Sequence, residues 1–115
     1  MNTTNRFLQG VFDVEGQGLA KPSLLDPSLT YTVPDGATAQ VLYARGGNAT
    51  DELVTLVLVF DGTPARWLPI GAKEDMHVSL RVVEDLLAGT TVEIHAAAPE
   101  GCQGSVVVDL GIVEF

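Results

Sequence analysis

Apolar and polar residues alternate with a period of two along much of this chain, and that feature most constrains its fold. In Thr91 to Ala96, Val92, Ile94 and Ala96 share one face while Glu93 and His95 share the other. A period of two is the signature of a half-buried strand. His77 to Val82 reads the same way, as does the set Val106, Val108, Leu110 and Ile112, alternating with Val107, Asp109, Gly111 and Val113. Ala39 to Arg45 is a further strand, with Val41 and Tyr43 opposite Gln40 and Leu42. Leu53 to Phe60 is apolar on both faces, Thr55 being its single polar residue, which predicts either a central strand or one covered by a partner.

Turn signals separate these runs. Pro34-Asp35-Gly36, Gly46-Gly47-Asn48, Asp61-Gly62, Ala88-Gly89 and Pro99-Glu100-Gly101 supply fixed or positive φ where the chain must reverse. Asp61-Gly62 directly follows Phe60 and reads as a hairpin. Val83 to Ala88 has room for one helical turn, with Leu86 and Leu87 equally able to plug a loop; no stretch supports a helix of three turns. Phe7, Leu8, Val11, Phe12 and Val14 suggest one early strand, and Gly16 to Ser28, broken by Pro22 and Pro27, an extended segment running over the body. The expected fold is all-β: an antiparallel β-sandwich of about seven to eight strands, Ig-like Greek key or jelly roll. It divides into an N-terminal arm with an early strand over residues 1–28 and a sandwich over residues 29–115.

Charge removes several functional classes. Against 15 Asp and Glu stand 6 Lys and Arg, a net charge of -9, whereas nucleic-acid and anionic-lipid binding need clustered cations. Up to residue 57 six acids face three bases, and beyond it nine face three, so acidity leans toward the C-terminal half. The first ten residues lack the apolar run of a signal peptide, and the apolar run that includes Val57 to Phe60 is far too short to span a bilayer. A single cysteine, Cys102, makes no internal disulfide.

Candidate chemistry is sparse. His77 and His95 sit on polar strand faces, with Glu93, Met76 and Cys102 as the other conceivable ligands, and no zinc spacing joins them. Cys102 lies between glycines, so partial exposure is expected, but the adjacent Glu100 would raise its pKa rather than activate it. The doublets Asp51-Glu52, Glu74-Asp75 and Glu84-Asp85 have neither a paired-carboxylate motif nor EF-hand spacing. Gly16-Gln17-Gly18 lacks the rest of a phosphate-binding fingerprint. Asn48-Ala49-Thr50 matches a glycosylation sequon. Trp67 is an interface anchor or a core plug. No cofactor, metal or catalytic residue is called, and the chain is expected not to be an enzyme.

Tyr31-Thr32-Val33-Pro34-Asp35-Gly36-Ala37-Thr38-Ala39 opens a strand, Asn48 follows, and Leu87-Ala88-Gly89-Thr90-Thr91-Val92-Glu93-Ile94 opens another. The chain closes on Gly111-Ile112-Val113-Glu114-Phe115. Over residues 30–115 this order resembles small β-sandwich structural proteins of tailed bacteriophages. The resemblance implies a non-enzymatic virion component assembled in the host cytoplasm, first of all a capsid decoration protein. A head or tail fibre module, a tail accessory domain, and a bacterial small-ligand or sensor-partner module are the alternatives. Its expected partners are copies of itself, in a homo-oligomer for which a trimer is one form, and a major capsid or other virion protein, with no nucleic acid and no membrane. The residues expected at interfaces are Phe7, Leu8, Val11, Phe12, Leu53, Val57, Val59 and Trp67.

Overall fold

The structure is a computed structural model and describes residues 3–80 and 82–115. Arg81, inside the expected strand His77 to Val82, lies outside the described residues. The strands are β1 (Thr4–Glu15), β2 (Ser23–Leu24), β3 (Thr30–Thr32), β4 (Thr38–Asn48), β5 (Val54–Phe60), β6 (Thr63–Ile70), β7 (Asp75–Ser79), β8 (Leu86–Leu87), β9 (Thr91–Ala97) and β10 (Gln103–Glu114). No helix occurs among the described residues.

Every pairing is antiparallel, and the pairs nest. β5 pairs with β6 across the Asp61-Gly62 turn, β4 with β7, β2 and β3 with β9, and β1 with β10. At the tip Asp61 and Gly62 both have positive φ, 51° and 79°, the left-handed pair whose twist suits a two-residue hairpin. Two further pairings, β10 with β4 and β9 with β5, join the nested pairs side by side. The result is two sheets, β1-β10-β4-β7 with β8 beside β4, and β2-β9-β5-β6 with β3 beside β9. Because β2 and β3 both run along β9, they act as one interrupted strand. The chain is then a long ribbon folded over itself in eight principal strands, which is a jelly roll.

The alternation read from the sequence sets the core. Val106, Val108, Leu110 and Ile112 of β10 face Leu56, Leu58, Val92 and Ile94 of the other sheet in one buried cluster. A small opening at the margin of the core, lined by Val41, Leu58 and Leu86 with Arg66 and Glu84 at its rim, measures about 10 Å³, which is at most about one water.

The early strand expected from Phe7 to Val14 is β1, which pairs with β10 along its whole length, with Leu8 and Val14 buried. The segment that follows is tied to its own domain, Gly16 N–H donating to Cys102 O (2.8 Å), Gly18 N–H to Ala98 O (2.8 Å) and Leu25 N–H to Ile94 O (3.1 Å). Gly46-Gly47-Asn48 is not a turn but the end of β4. Its glycine serves packing, since a Cβ on Gly46 would lie 2.7 Å from Ile70 Cδ1 and 3.0 Å from Leu56 Cδ1. Val41 and Tyr43 do not share a face, because the β10–β4 register shifts at Gly111/Ile112 and Leu42 is the extra residue. Val83 to Ala88 forms no helical turn; Leu86 enters the core and Leu87 stays outside, both on β8. Cys102 is buried, not exposed, because the Pro99–Cys102 turn folds it inward.

Asn48 and Thr50, the polar residues of the sequon, are buried too, and their role is structural. The Asn48 side-chain amide donates to the carbonyls of Glu52 (2.8 Å), Ile70 (3.0 Å) and Gly71 (3.2 Å). Its Oδ1 accepts from the Thr50 N–H (2.9 Å) and hydroxyl (2.7 Å). One side chain thus ties the β4–β5 connection to the end of β6. Asn48→Ala is expected to cost at least about 1–3 kcal/mol, the cost of leaving a buried polar group unpaired. Asn48→Asp is expected to be worse, since it sets a carboxylate against carbonyl oxygens. Urea unfolding of both variants checks this, and near-wild-type stability in either would remove the clamp from the account.

Candidate functional site

The outward residues of β10 organise the exposed face of the first sheet. Pairing places Val11, Val107, Gly47 and Asp75 in one row across β1, β10, β4 and β7. The next row is Gln9, Asp109, Arg45 and His77, and the third is Phe7, Gly111, Tyr43 and Ser79. The β1 side of this grid is apolar and the β7 side polar.

On the apolar side Phe7, Val11 and Val107 are 53%, 67% and 50% exposed. Val11 and Val107 stand directly opposite each other and form an apolar pair, while Phe7 lies two rows along β1 beyond Gln9. β1 is also an edge strand; among the described residues it pairs with β10 alone. A long edge strand with apolar side chains is a template for another chain unless something blocks it.

On the polar side four groups interlock. Arg45 Nη2 lies 3.2 Å from Asp109 Oδ2, and the Tyr43 hydroxyl donates to Asp109 Oδ1 at 3.2 Å. The Arg45 guanidinium sits 5.3 Å from the Tyr43 ring centroid, and the His77 ring meets Tyr43 edge-on at 6.2 Å. The Tyr43 ring takes this position because position 111 is glycine: a Cβ there would lie 1.9 Å from Tyr43 Cε2. Beside these groups, above the bare backbone of Gly46 and Gly47, lies an open depression of about 520 Å³ reaching Asp75, Met76 and Val107. The ion pair is solvent-exposed and contributes at most about 1 kcal/mol, so it orders the face more than it holds the fold. The sequence signal for this depression was a glycine pair inside an alternating segment, which marks close approach as readily as a turn.

A second polar cluster closes the end where the two sheets meet. Glu114 of β10 is buried, accepting from the Tyr31 hydroxyl of β3 (2.5 Å) and from Arg6 Nε of β1 (3.1 Å). These bonds, Tyr31 first and Arg6 second, hold the Glu114 carboxyl below its ordinary range, while burial and the same bond push the Tyr31 hydroxyl up.

The other expected residues are spread apart. Trp67, 49% exposed, lies on the outer face of the second sheet in a row with Val57, His95 and Leu24. Tyr43 and Trp67 therefore share no pocket. Val57 and Val59 point outward from β5 yet are buried, flanked by Trp67 and Pro64 on β6 and by His95 and Glu93 on β9. Along with buried Leu8, they present almost no surface to a partner, whereas Leu53 is exposed and Phe12 packs against the core. His77 and His95 stand on opposite sheets, the latter 3.0 Å from Glu93 Oε1. Among the described residues no three His, Cys, Asp or Glu side chains converge as metal ligands would. Two of the three acidic doublets are engaged separately, Asp51 with Lys73 (3.3 Å), Glu84 with Arg66 (2.8 Å) and Asp85 with Gln40 (2.6 Å).

No family model matches the chain, and no curated protein matches it. Solved structures do resemble it. The CBM36-1 domain of a multidomain xylanase from the hindgut metagenome of Trinervitermes trinervoides aligns with a TM-score of 0.58 at 14% identity, over 96% of each chain. A chain of the infectious bursal disease virus Gx strain aligns at 0.55 and 11% identity over 99% of this chain. A chain of the T=1 particles derived from that virus aligns at 0.53 and 10% over 97%. This protein spans about a third of the length of those virus chains. At such identities the likeness establishes the jelly-roll sandwich and nothing finer.

The carboxyl held below its ordinary value near 4.5 favours the folded state above that value. The contribution is lost as pH falls below it, when the unfolded chain takes up the proton more readily. Melting temperature followed from about pH 5 to 3 should therefore fall more steeply for the wild type than for Glu114→Gln. Parallel curves would show that the Tyr31–Glu114–Arg6 cluster adds no acid-side sensitivity.

Proposed function

We propose that this protein is a non-enzymatic structural subunit of a virus particle, a capsid decoration protein that works by self-association and by contact with a capsid surface. The observation that carries this reading is a twelve-residue edge strand that exposes Phe7 and Val11, the latter paired with exposed Val107, and that among the described residues has one free side. On a chain of net charge -9, whose acids otherwise keep the surface hydrated, such a strand is the place where burial would stabilise an assembly.

Three further observations support it. The core is apolar and the clusters on the two sheets are internally paired, which suits a scaffold more than a catalyst. The order of motifs from Tyr31 to Phe115 resembles small structural proteins of tailed bacteriophages. Viral particle chains are among the proteins that share the sandwich. The carbohydrate-binding neighbour shares the same fold at 14% identity and brings no ligand with it. On this reading the partners are further copies of the chain and a capsid protein, and the location is the virion.

Sedimentation velocity over a wide concentration range tests the reading. The wild type should show a mass above the 12.1 kDa monomer, and Phe7→Ser/Val11→Ser should shift the association by at least about tenfold. A wild type that stays monomeric at every concentration would overturn self-association.

A further inference from the structure

The geometry points to one mode of self-association: β1 pairs with β1 of a second copy about a two-fold axis at Gln9, extending the first sheet across two molecules. This rests on the self-association proposed above and goes further, naming the strand, the symmetry and the register.

Three observations select it. First, β1 is the long free edge of its sheet, and an exposed edge carries a row of unpaired backbone N–H and C=O groups. Edge-to-edge addition satisfies that row with no special sequence. Second, β1 presents Phe7, Gln9, Val11 and Asp13 on the outer face and Leu8, Phe12 and Val14 toward the core. A two-fold axis perpendicular to the sheet keeps outer faces on the same side, so odd-numbered residues must face odd-numbered ones.

Third, the sequence of β1 discriminates among the registers that remain. With the axis at Gln9, Phe7 stands opposite Val11 of the second copy and Val11 opposite its Phe7, with Asn5 facing its Asp13. The two Gln9 amides meet at the centre, where each can donate to the other. Moving the axis to Gly10 puts Phe7 opposite Asp13 and Asn5 opposite Glu15, leaving no apolar pair across the seam on the outer face. Moving it to Leu8 puts Phe7 opposite Gln9, and more distant axes shorten the overlap. The register at Gln9 sets Val107 and Val11 of each copy beside Phe7 of the other, giving two symmetry-related apolar clusters that flank the central Gln9 row. Each copy carries net charge -9, so these clusters work against repulsion, and added salt should tighten the dimer rather than loosen it.

The test is cross-linking with a short bismaleimide in a Cys102→Ala background, with single cysteines placed on β1. Gln9→Cys should cross-link efficiently, since the two copies of residue 9 are adjacent at the axis. Asn5→Cys should not, because its two copies lie about 27 Å apart, eight residues along the ribbon. Thermal melts confirm that both variants are folded, and sedimentation of the same samples reports their mass. A dimer that cross-links at Gln9 and not at Asn5 is the expected result. A dimer that fails to cross-link at Gln9, or links equally at both positions, overturns this register while leaving self-association intact. A monomer at all concentrations overturns both.

Discussion

The nested antiparallel pairing around the Asp61-Gly62 turn is the constraint on which the rest of the structure depends. Positive φ at both turn residues lets Phe60 and Thr63 face each other, which sets β5 against β6. Each later pair wraps outside the one before: β4 with β7, β2 and β3 with β9, and finally β1 with β10. The outermost pair sets β1 against β10, and among the described residues β1 has no neighbour on its other side. The free edge proposed as an assembly seam is a consequence of the topology itself.

Strand β10 distributes the work between the two faces. Its even-numbered residues from Val106 to Ile112 fill the core, and its odd-numbered ones carry Val107, the ion pair and the glycine that seats Tyr43. A one-residue slip would exchange these sets, placing Asp109 in the core and turning Val106, Val108 and Leu110 out to solvent. Two polar devices hold the register at opposite ends of the molecule. Asn48 binds the β4–β5 connection to the end of β6, and Glu114 binds β10 to β1 and β3. Both are buried or nearly so, and among the described residues no buried side-chain polar atom lacks a partner.

The faces of β9 and β10 were legible in the sequence, because period-two alternation reports inside and outside directly. Val92, Ile94, Val106 and Leu110 are buried as their pattern requires. Beyond the Asp61-Gly62 hairpin the partner of each strand was not legible, since alternation is blind to what lies alongside and fits Ig-like and jelly-roll orders alike; the nested pairs make it a jelly roll. Glycine misled where its missing side chain mattered more than its φ: Gly46 admits Ile70 and Leu56, and Gly111 admits Tyr43, both within strands. Leu42 escaped because a bulge adds a residue without breaking the apolar pattern. Val57 and Val59 read as open to a partner because their cover comes from Trp67, His95 and Glu93 on neighbouring strands. Of the candidate surface, Phe7 and Val11 were legible as apolar residues in an early strand, but their union with Val107 required the β1–β10 register.

Amide hydrogen exchange at low and high protein concentration tests the central claim most directly, that the edge and outer face of β1 are where this chain assembles. The account predicts that alternate amides of β1 between Asn5 and Asp13 exchange more slowly as concentration rises, while those of the β6 and β7 edges do not change. Concentration-independent exchange along β1, with protection appearing at another edge, would contradict it.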